Sequence, residues 1–278
     1  YVSWAEENLT LIDDNVYFDP ECLPIGYTFI PDDNFEQTLI EFGYDDVLDD
    51  SVLTSNIYNI TELDIMNRNI NNLTGIENFT NLEVLLCNGN NINNVDLSNN
   101  TLLTTLWLGN NYLNSIDLSN NILIEQLVMS HNQIRNINLE FNTSLKSIHF
   151  DHNDLSNIDV SNKLQLETLI LASNRISYID VSNNLSLKAI DVNYNQLTSL
   201  DLSNNQLIQY IACNDNQLSN LDISQNSQLG FIRASANSFE SLDFSNNPLL
   251  EAIEADHNLL TSIDLSNNPE PVSYKHLR

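Results

Sequence analysis

The chain has 278 residues, 42% of them apolar, and sets nine Lys and Arg against 38 Asp and Glu for a formal net charge of −29. A surface this acidic repels phosphate backbones and anionic lipid, which argues against nucleic-acid partners and direct membrane insertion. No apolar run approaches the roughly 20 residues that span a bilayer, and three cysteines make no disulfide framework.

Residues 1–30 form an acidic N-terminal flank. Residues 1–59 together hold fourteen carboxylates and no Lys, Arg or His. A chain that starts at Tyr1 without a signal peptide reads as processed or trimmed. Cys22 lies in this flank and has no assigned role. The stretch "PDDNFEQTLIEFG" at 31–43 predicts a short helix within an N-terminal cap over 31–59. Asp33 is the expected N-cap, Glu36 closes a capping box, Phe35, Leu39, Ile40 and Phe42 form the apolar side, and Gly43 is the stop. The following Asp45, Asp46, Asp49 and Asp50 lack the glycine and terminal glutamate of a calcium-binding EF-hand loop and read as a solvated acidic turn.

From residue 60 to 270 the chain repeats. "LTTLWLGNNYLNSIDLSNN" at 103–121 recurs as "IEQLVMSHNQIRNINLEFN" and "LKSIHFDHNDLSNIDVSNK" with a period of 21 residues. Nine units in register begin at Leu82, Leu103, Ile124, Leu145, Leu166, Leu187, Ile208, Leu229 and Leu250, and a tenth, one residue longer, precedes them from Ile60. Apolar residues fall at positions 1, 4, 6, 11, 14 and 16, with Cys87 and Cys213 at position 6 as small core residues. Position 9 is Asn in every regular unit, from Asn90 to Asn258, and Arg68 in the first. Alternation over positions 3 to 7 predicts a strand with one buried face. One such coil cannot bury its own apolar residues, but ten stacked coils make a continuous core. Strands then lie roughly 4.8 Å apart in a parallel sheet, and the Asn column forms a ladder of amides between coils.

Position 15 is Asp in eight regular units, with Asn138 the exception. Carboxylates stacked at strand spacing repel one another. Either each accepts a local backbone N–H in an Asx turn, which lowers its pKa, or calcium lies between coils. The register asks for apolar residues at 271, 274 and 276, where Pro271, Tyr274 and His276 stand, so the repeat is expected to stop. The tail at 271–278 is too short for a convincing cap, which suggests a module of something longer.

The pattern LxxLxLxxNxLxxLDLSxN over residues 60–268 resembles the leucine-rich-repeat family in its short bacterial form, and the N-terminal cap is similar to those of internalin-like extracellular proteins. The resemblance implies an α/β, strand-rich solenoid with right-handed coils, its parallel sheet on the concave face and a helical cap at the start. It also implies a secreted or cell-surface binding module whose ligand, a protein or glycan, meets outward positions 3, 5, 7 and 8.

Read against the residues, position 5 supplies Leu86, Trp107, Val128, His149 and Ile170 in successive coils, an exposed apolar stripe of the kind partner-binding surfaces show. Tyr194, Tyr210 and Phe231 add aromatic area, and Lys146, Lys188 and Arg233 break the acidic background where an acidic partner or anionic glycan could pair. The competing view is that these residues only stabilise strands through cross-strand contact. His131, His149, Asp151 and His152 cluster on two coils and could hold a divalent ion. Variable surface residues without a second shell are the plainer reading, and no cofactor is called for. No nucleophile–base set accompanies them, so the chain is not read as an enzyme. Alternatives to partner binding are a targeting or spacer module of a larger secreted enzyme or adhesin, and a metal-dependent site at His131, His149 and His152. Asn142-Thr-Ser and Asn184-Leu-Ser fall in the repeat's own Asn column and read as structure rather than glycosylation sites. A monomer is expected.

Overall fold

A coil of 21 residues that must bury six apolar side chains has room for one short strand. In the computed structural model, which describes residues 26–268 and 273–275, that strand spans positions 3 to 5 of each coil. After a first strand, β3 (Glu62–Asp64), follow β4 (Val84–Leu86), β5 (Thr105–Trp107), β6 (Gln126–Val128), β7 (Ser147–His149) and β8 (Thr168–Ile170). β9 (Ala189–Asp191), β10 (Tyr210–Ala212), β11 (Phe231–Arg233) and β12 (Ala252–Glu254) complete the regular series. All are parallel, and each pairs with the next in a single 11-stranded sheet. The acidic flank up to residue 25, with Cys22, lies outside the described residues.

The sheet runs one strand past the point where the apolar pattern stops. β13 (Ser273–Lys275) pairs in parallel with β12, Ile253 opposite Tyr274. Parallel pairing needs backbone groups in register and not a continued apolar column, so the loss of the leucine pattern does not end the sheet there.

The core is one continuous column. Leu82, Leu85, Cys87, Ile92 and Leu97 of one coil are buried, as are Leu103, Leu106, Leu108, Leu113 and Leu118 of the next. Burial pushes the thiols of Cys87 and Cys213 up to about 12, which makes them inert core residues. The Asn at position 9 works in both directions. Asn111 accepts from Ile92 N–H at 3.0 Å and donates to the carbonyls of Cys87 and Leu108, each at 3.0 Å. Equivalent bonds recur down to Asn258.

Before the sheet, β1 (Tyr27–Phe29) pairs antiparallel with β2 (Ser51–Leu53), helix α1 (Asp33–Glu41) lies between them, and the single turn α2 (Thr54–Ile57) follows. The N-cap is Asp32 and not Asp33: its Oδ1 accepts from Asn34 N and Phe35 N, while Oδ2 accepts from Asn71 N and Asn72 N of the first coil. Glu36 closes no capping box. It is buried and accepts from Asp49 N and Ser51 N, both at 2.9 Å, and desolvation pushes its carboxyl above the usual range. Phe35 and Leu39 are buried, Ile40 is half-buried and Phe42 is exposed. Phe35 stacks on Phe79 of the first coil at 6.1 Å between ring centres. At the far end Gly43, at φ +77, and Tyr44 donate to Ile40 and Leu39, the paired bonds of a left-handed helix stop.

Candidate binding face

Position 4 of each strand is buried, so positions 3 and 5 point away from the core. Leu86, Trp107, Val128, His149 and Ile170 stand directly opposite one another across β4 to β8. Asp191, Ala212, Arg233 and Glu254 continue the row. The five leading side chains are half-buried rather than exposed. At roughly 4.8 Å spacing each one covers the flanks of its neighbours, which leaves little more than the tips to solvent. Trp107 is sunk far enough that its indole N–H is buried, with no hydrogen-bond partner among the described residues.

The other candidates divide. Tyr194 and Phe231 are open to solvent, 57% and 46% exposed, whereas Tyr210 is half-buried beside Phe231 and its hydroxyl is held above the usual range by burial. The cations are already engaged within the chain. Lys146 meets Glu125 at 2.6 Å, Lys188 meets Glu167 at 2.8 Å, and Arg233 meets Glu254 at 3.4 Å. The position-2 carboxylate one coil earlier takes each lysine, so an acidic partner would have to displace these pairs. His149 is half-buried, and desolvation pushes its imidazole below the usual range, toward the neutral form.

Position 8 is where the chain turns off the sheet, and it is left-handed in every regular coil. Gly89, Asn110, His131, His152, Ser173, Tyr194, Asp215, Ala236 and His257 have φ between 52° and 72°. The shared backbone aims neighbouring side chains alike, so the rings of His131 and His152 stack at 4.1 Å, 11° from parallel. Asp151, at position 7, places Oδ2 3.9 Å from His131 Nε2 and takes a 2.5 Å hydrogen bond from Ser130 Oγ on Oδ1. His149 stands two residues earlier, in the strand itself, and is not part of this group of three.

On the opposite arm of the coil, each position-15 Asp accepts a backbone N–H from the Ser two residues on, at 2.9 Å in Asp96, Asp117, Asp159, Asp180 and the rest of the column. Bonds from that Ser hold the carboxyls below the usual range, its N–H leading in Asp96 and Asp117 and its hydroxyl leading in Asp159 and Asp180. Asn138 makes the same turn to Glu140 N. The column is built as Asx turns.

Compared with solved structures, the chain is similar to the functional domain of InlJ from Listeria monocytogenes, with 31% identity and a TM-score of 0.83 over 87% of this chain and 54% of that one. The chain thus spans about half of that relative's length. The chain is a leucine-rich-repeat solenoid. The fold is shared at 18% identity with the internalin InlF of the same organism (TM-score 0.55, 90% of this chain and 95% of that one). It is shared at 21% with a plant peptide hormone receptor in complex with RGF2 (TM-score 0.54, 66% of this chain and 37% of that one). No protein-family model and no curated protein matches the sequence. The InlJ domain is described as including a cysteine ladder; here the two described cysteines, Cys87 and Cys213, share one column six coils apart and are both free.

Two features of the leucine-rich-repeat coils lie outside the leucine core. The first is the Asn that closes the pattern at position 19, Asn100 to Asn268, whose side chains are buried and donate to carbonyls of the preceding coil. Asn142 and Asn184 belong to it, with Nδ2 spent on backbone carbonyls. The second is an apolar ridge at the turn entering each strand, where Ile122, Phe141, Leu164, Leu185, Leu207 and Leu249 are all exposed. Apolar residues at positions 18, 20 and 21, outside the core set, were the available signal.

Proposed function

We propose that the sheet face binds a macromolecular partner, a protein in preference to a glycan, with Trp107 at the centre of the contact. The observation that carries this is the in-register row of Leu86, Trp107, Val128 and Ile170 on a rigid sheet, with an indole N–H that no group among the described residues satisfies. Unpaired, that buried donor costs about 1–3 kcal/mol, and a turn of the indole toward a partner carbonyl would relieve it. Aliphatic neighbours on both sides suit an apolar protein side chain better than a sugar ring. Phe231 and Tyr194 extend the contact toward the C-terminal half. The InlJ domain and the peptide hormone receptor support a binding scaffold, and a secreted or surface-displayed monomer is the setting this reading implies. Helix α1 and the β1–β2 pair act as the N-terminal cap of the sheet.

The test is a panel of surface proteins and glycans probed with the wild type and with Trp107→Ala. Truncating a central aromatic anchor is expected to weaken binding by about 2 kcal/mol, roughly thirty-fold, while the lost cross-strand contact lowers the melting temperature only slightly. If every ligand captured holds equally to both forms, the sheet face is not the contact. That outcome would favour a spacer role in a longer protein.

A further inference from the structure

We propose that His131, Asp151 and His152 form a site for one divalent transition-metal ion of the zinc class, at the rim where the chain leaves the sheet between β6 and β8. The proposal is independent of partner binding: it concerns the rim turns and holds whether or not the apolar row meets a ligand. Among the described residues this is the place where three potential ligand side chains come together, their donor atoms all within 4.8 Å of one another.

The turns explain why. His131 and His152 occupy the same left-handed position of successive coils, φ 56 and 54. Their amides are fixed by equivalent inter-coil bonds, to Asp151 O and Ala172 O, each at 2.8 Å. The backbone thereby brings two imidazoles to one spot, and only their ring torsions are left to adjust. Asp151 is oriented from behind, since Ser130 Oγ holds Oδ1 and leaves Oδ2 facing His131. That bond is the outer-shell support that metal-binding carboxylates take. Donors around a tetrahedral ion with bonds of 2.0–2.2 Å stand roughly 3.4 Å apart, so the three side chains need only a modest contraction. The stacked rings must tilt until their lone pairs converge, and on the surface their side-chain torsions are free to do so.

The donor set selects the ion. Two imidazole nitrogens and one carboxylate suit zinc and its neighbours, whereas calcium takes six to eight oxygens and magnesium an octahedron of them. Three protein ligands leave a fourth position for water or for a donor from outside. The fold also supplies its own comparison. Ser235, Asp256 and His257 repeat the Ser–Asp–His arrangement five coils on, the serine again bonded to the aspartate, but Ala236 stands where the second imidazole would be. That rim turn has two ligands and lacks the third.

Titration calorimetry of the full chain with zinc chloride tests this, using His131→Asn, His152→Asn and His257→Asn as variants. Asn is the substitution of choice because Asn110 occupies the same left-handed position unstrained by a larger side chain. One ion per chain is expected. His131→Asn and His152→Asn should each weaken it at least about tenfold, while His257→Asn leaves it unchanged. Substituted Co2+ should show the visible absorption of a low-coordinate site in the wild type and lose it in both rim variants. No saturable ion, or an ion bound equally well by the His131 and His152 variants, overturns the proposal and assigns any zinc uptake to scattered surface carboxylates.

Discussion

Lys163 is the one residue out of place in the position-19 column. Its neighbours Asn142 and Asn184 each donate to two carbonyls of the preceding coil, Asn184 to Val160 and Lys163 at 2.9 Å each. Lys163 instead sends a buried ammonium to Leu139 O at 2.8 Å and to its own neighbour Asn162, and desolvation pushes its pKa down. Lys163→Asn restores the column and removes a buried charge. It should stabilise the solenoid by about 1 kcal/mol, a rise of roughly 2–4 °C for a domain of this size. A fall in melting temperature would mean that the aliphatic stem matters more than the amide ladder. At this scale the sequence is most legible where a residue answers to its own coil's backbone. The Asp159–Ser161 turn and the Asn153 ladder follow from one period. The half-burial of Trp107 and the pairing of Lys188 with Glu167 depend on side chains a full coil away, and a single period carries no record of them.

Among the elements, the N-terminal unit shows how a local pattern misleads. "DDNFE" fits a capping box at Asp33 and Glu36, but the carboxylates that hold this junction are Asp32 and Glu36, and both reach well beyond the helix start. Asp32 holds the helix start with one oxygen and the first coil with the other, and Glu36 holds the segment leading into β2. Arg68 departs from the Asn column for a related reason. The first coil has no coil before it to bond, and its guanidinium reaches Glu41 of α1 at 2.6 Å and lies over the Phe42 ring. Asp32→Ala should therefore cost more than an ordinary cap, whose loss is about 1 kcal/mol, and should act locally. Amide exchange is expected to quicken across residues 27–57 while the coils from Leu82 onward keep their protection. Exchange that quickens evenly along the chain would show the unit and the solenoid to be one cooperative body. Gly75→Ala attacks the same junction by a different route. At φ +101 its added Cβ would stand 2.3 Å from Ile30 Cδ1 and 2.5 Å from Phe29 O. That clash should push β1 off the first coil, with the same exchange pattern as the readout.

For the whole molecule the two opposing families of carboxylates set a pH dependence with a definite shape. In the position-15 column, serine N–H bonds hold Asp96, Asp117, Asp201, Asp222, Asp243 and Asp264 below their ordinary value of 3.8. A lowered folded pKa gives stability that is present above the unfolded pKa and lost as pH falls through the folded one. Glu36, Asp45, Asp50 and Asp191 are raised by desolvation, so their contribution has the opposite sign, present in acid and lost as pH rises through their folded pKa. A net charge of −29 adds self-repulsion that also grows toward neutral pH. The melting temperature should therefore peak at mildly acidic pH, decline toward pH 8, and drop steeply below about pH 4 as the Asx turns protonate. Salt separates the causes. Repulsion between exposed charges is screened over roughly 10 Å at 0.1 M, so added salt should flatten the alkaline decline and leave the acid drop in place. Asn138 shows that the turn survives without a charge. Replacing several column aspartates with Asn should then keep the fold at pH 7 and shallow the acid drop. If the acid drop is unchanged in that variant, protonation elsewhere unfolds the chain and the column is no more than a row of turns.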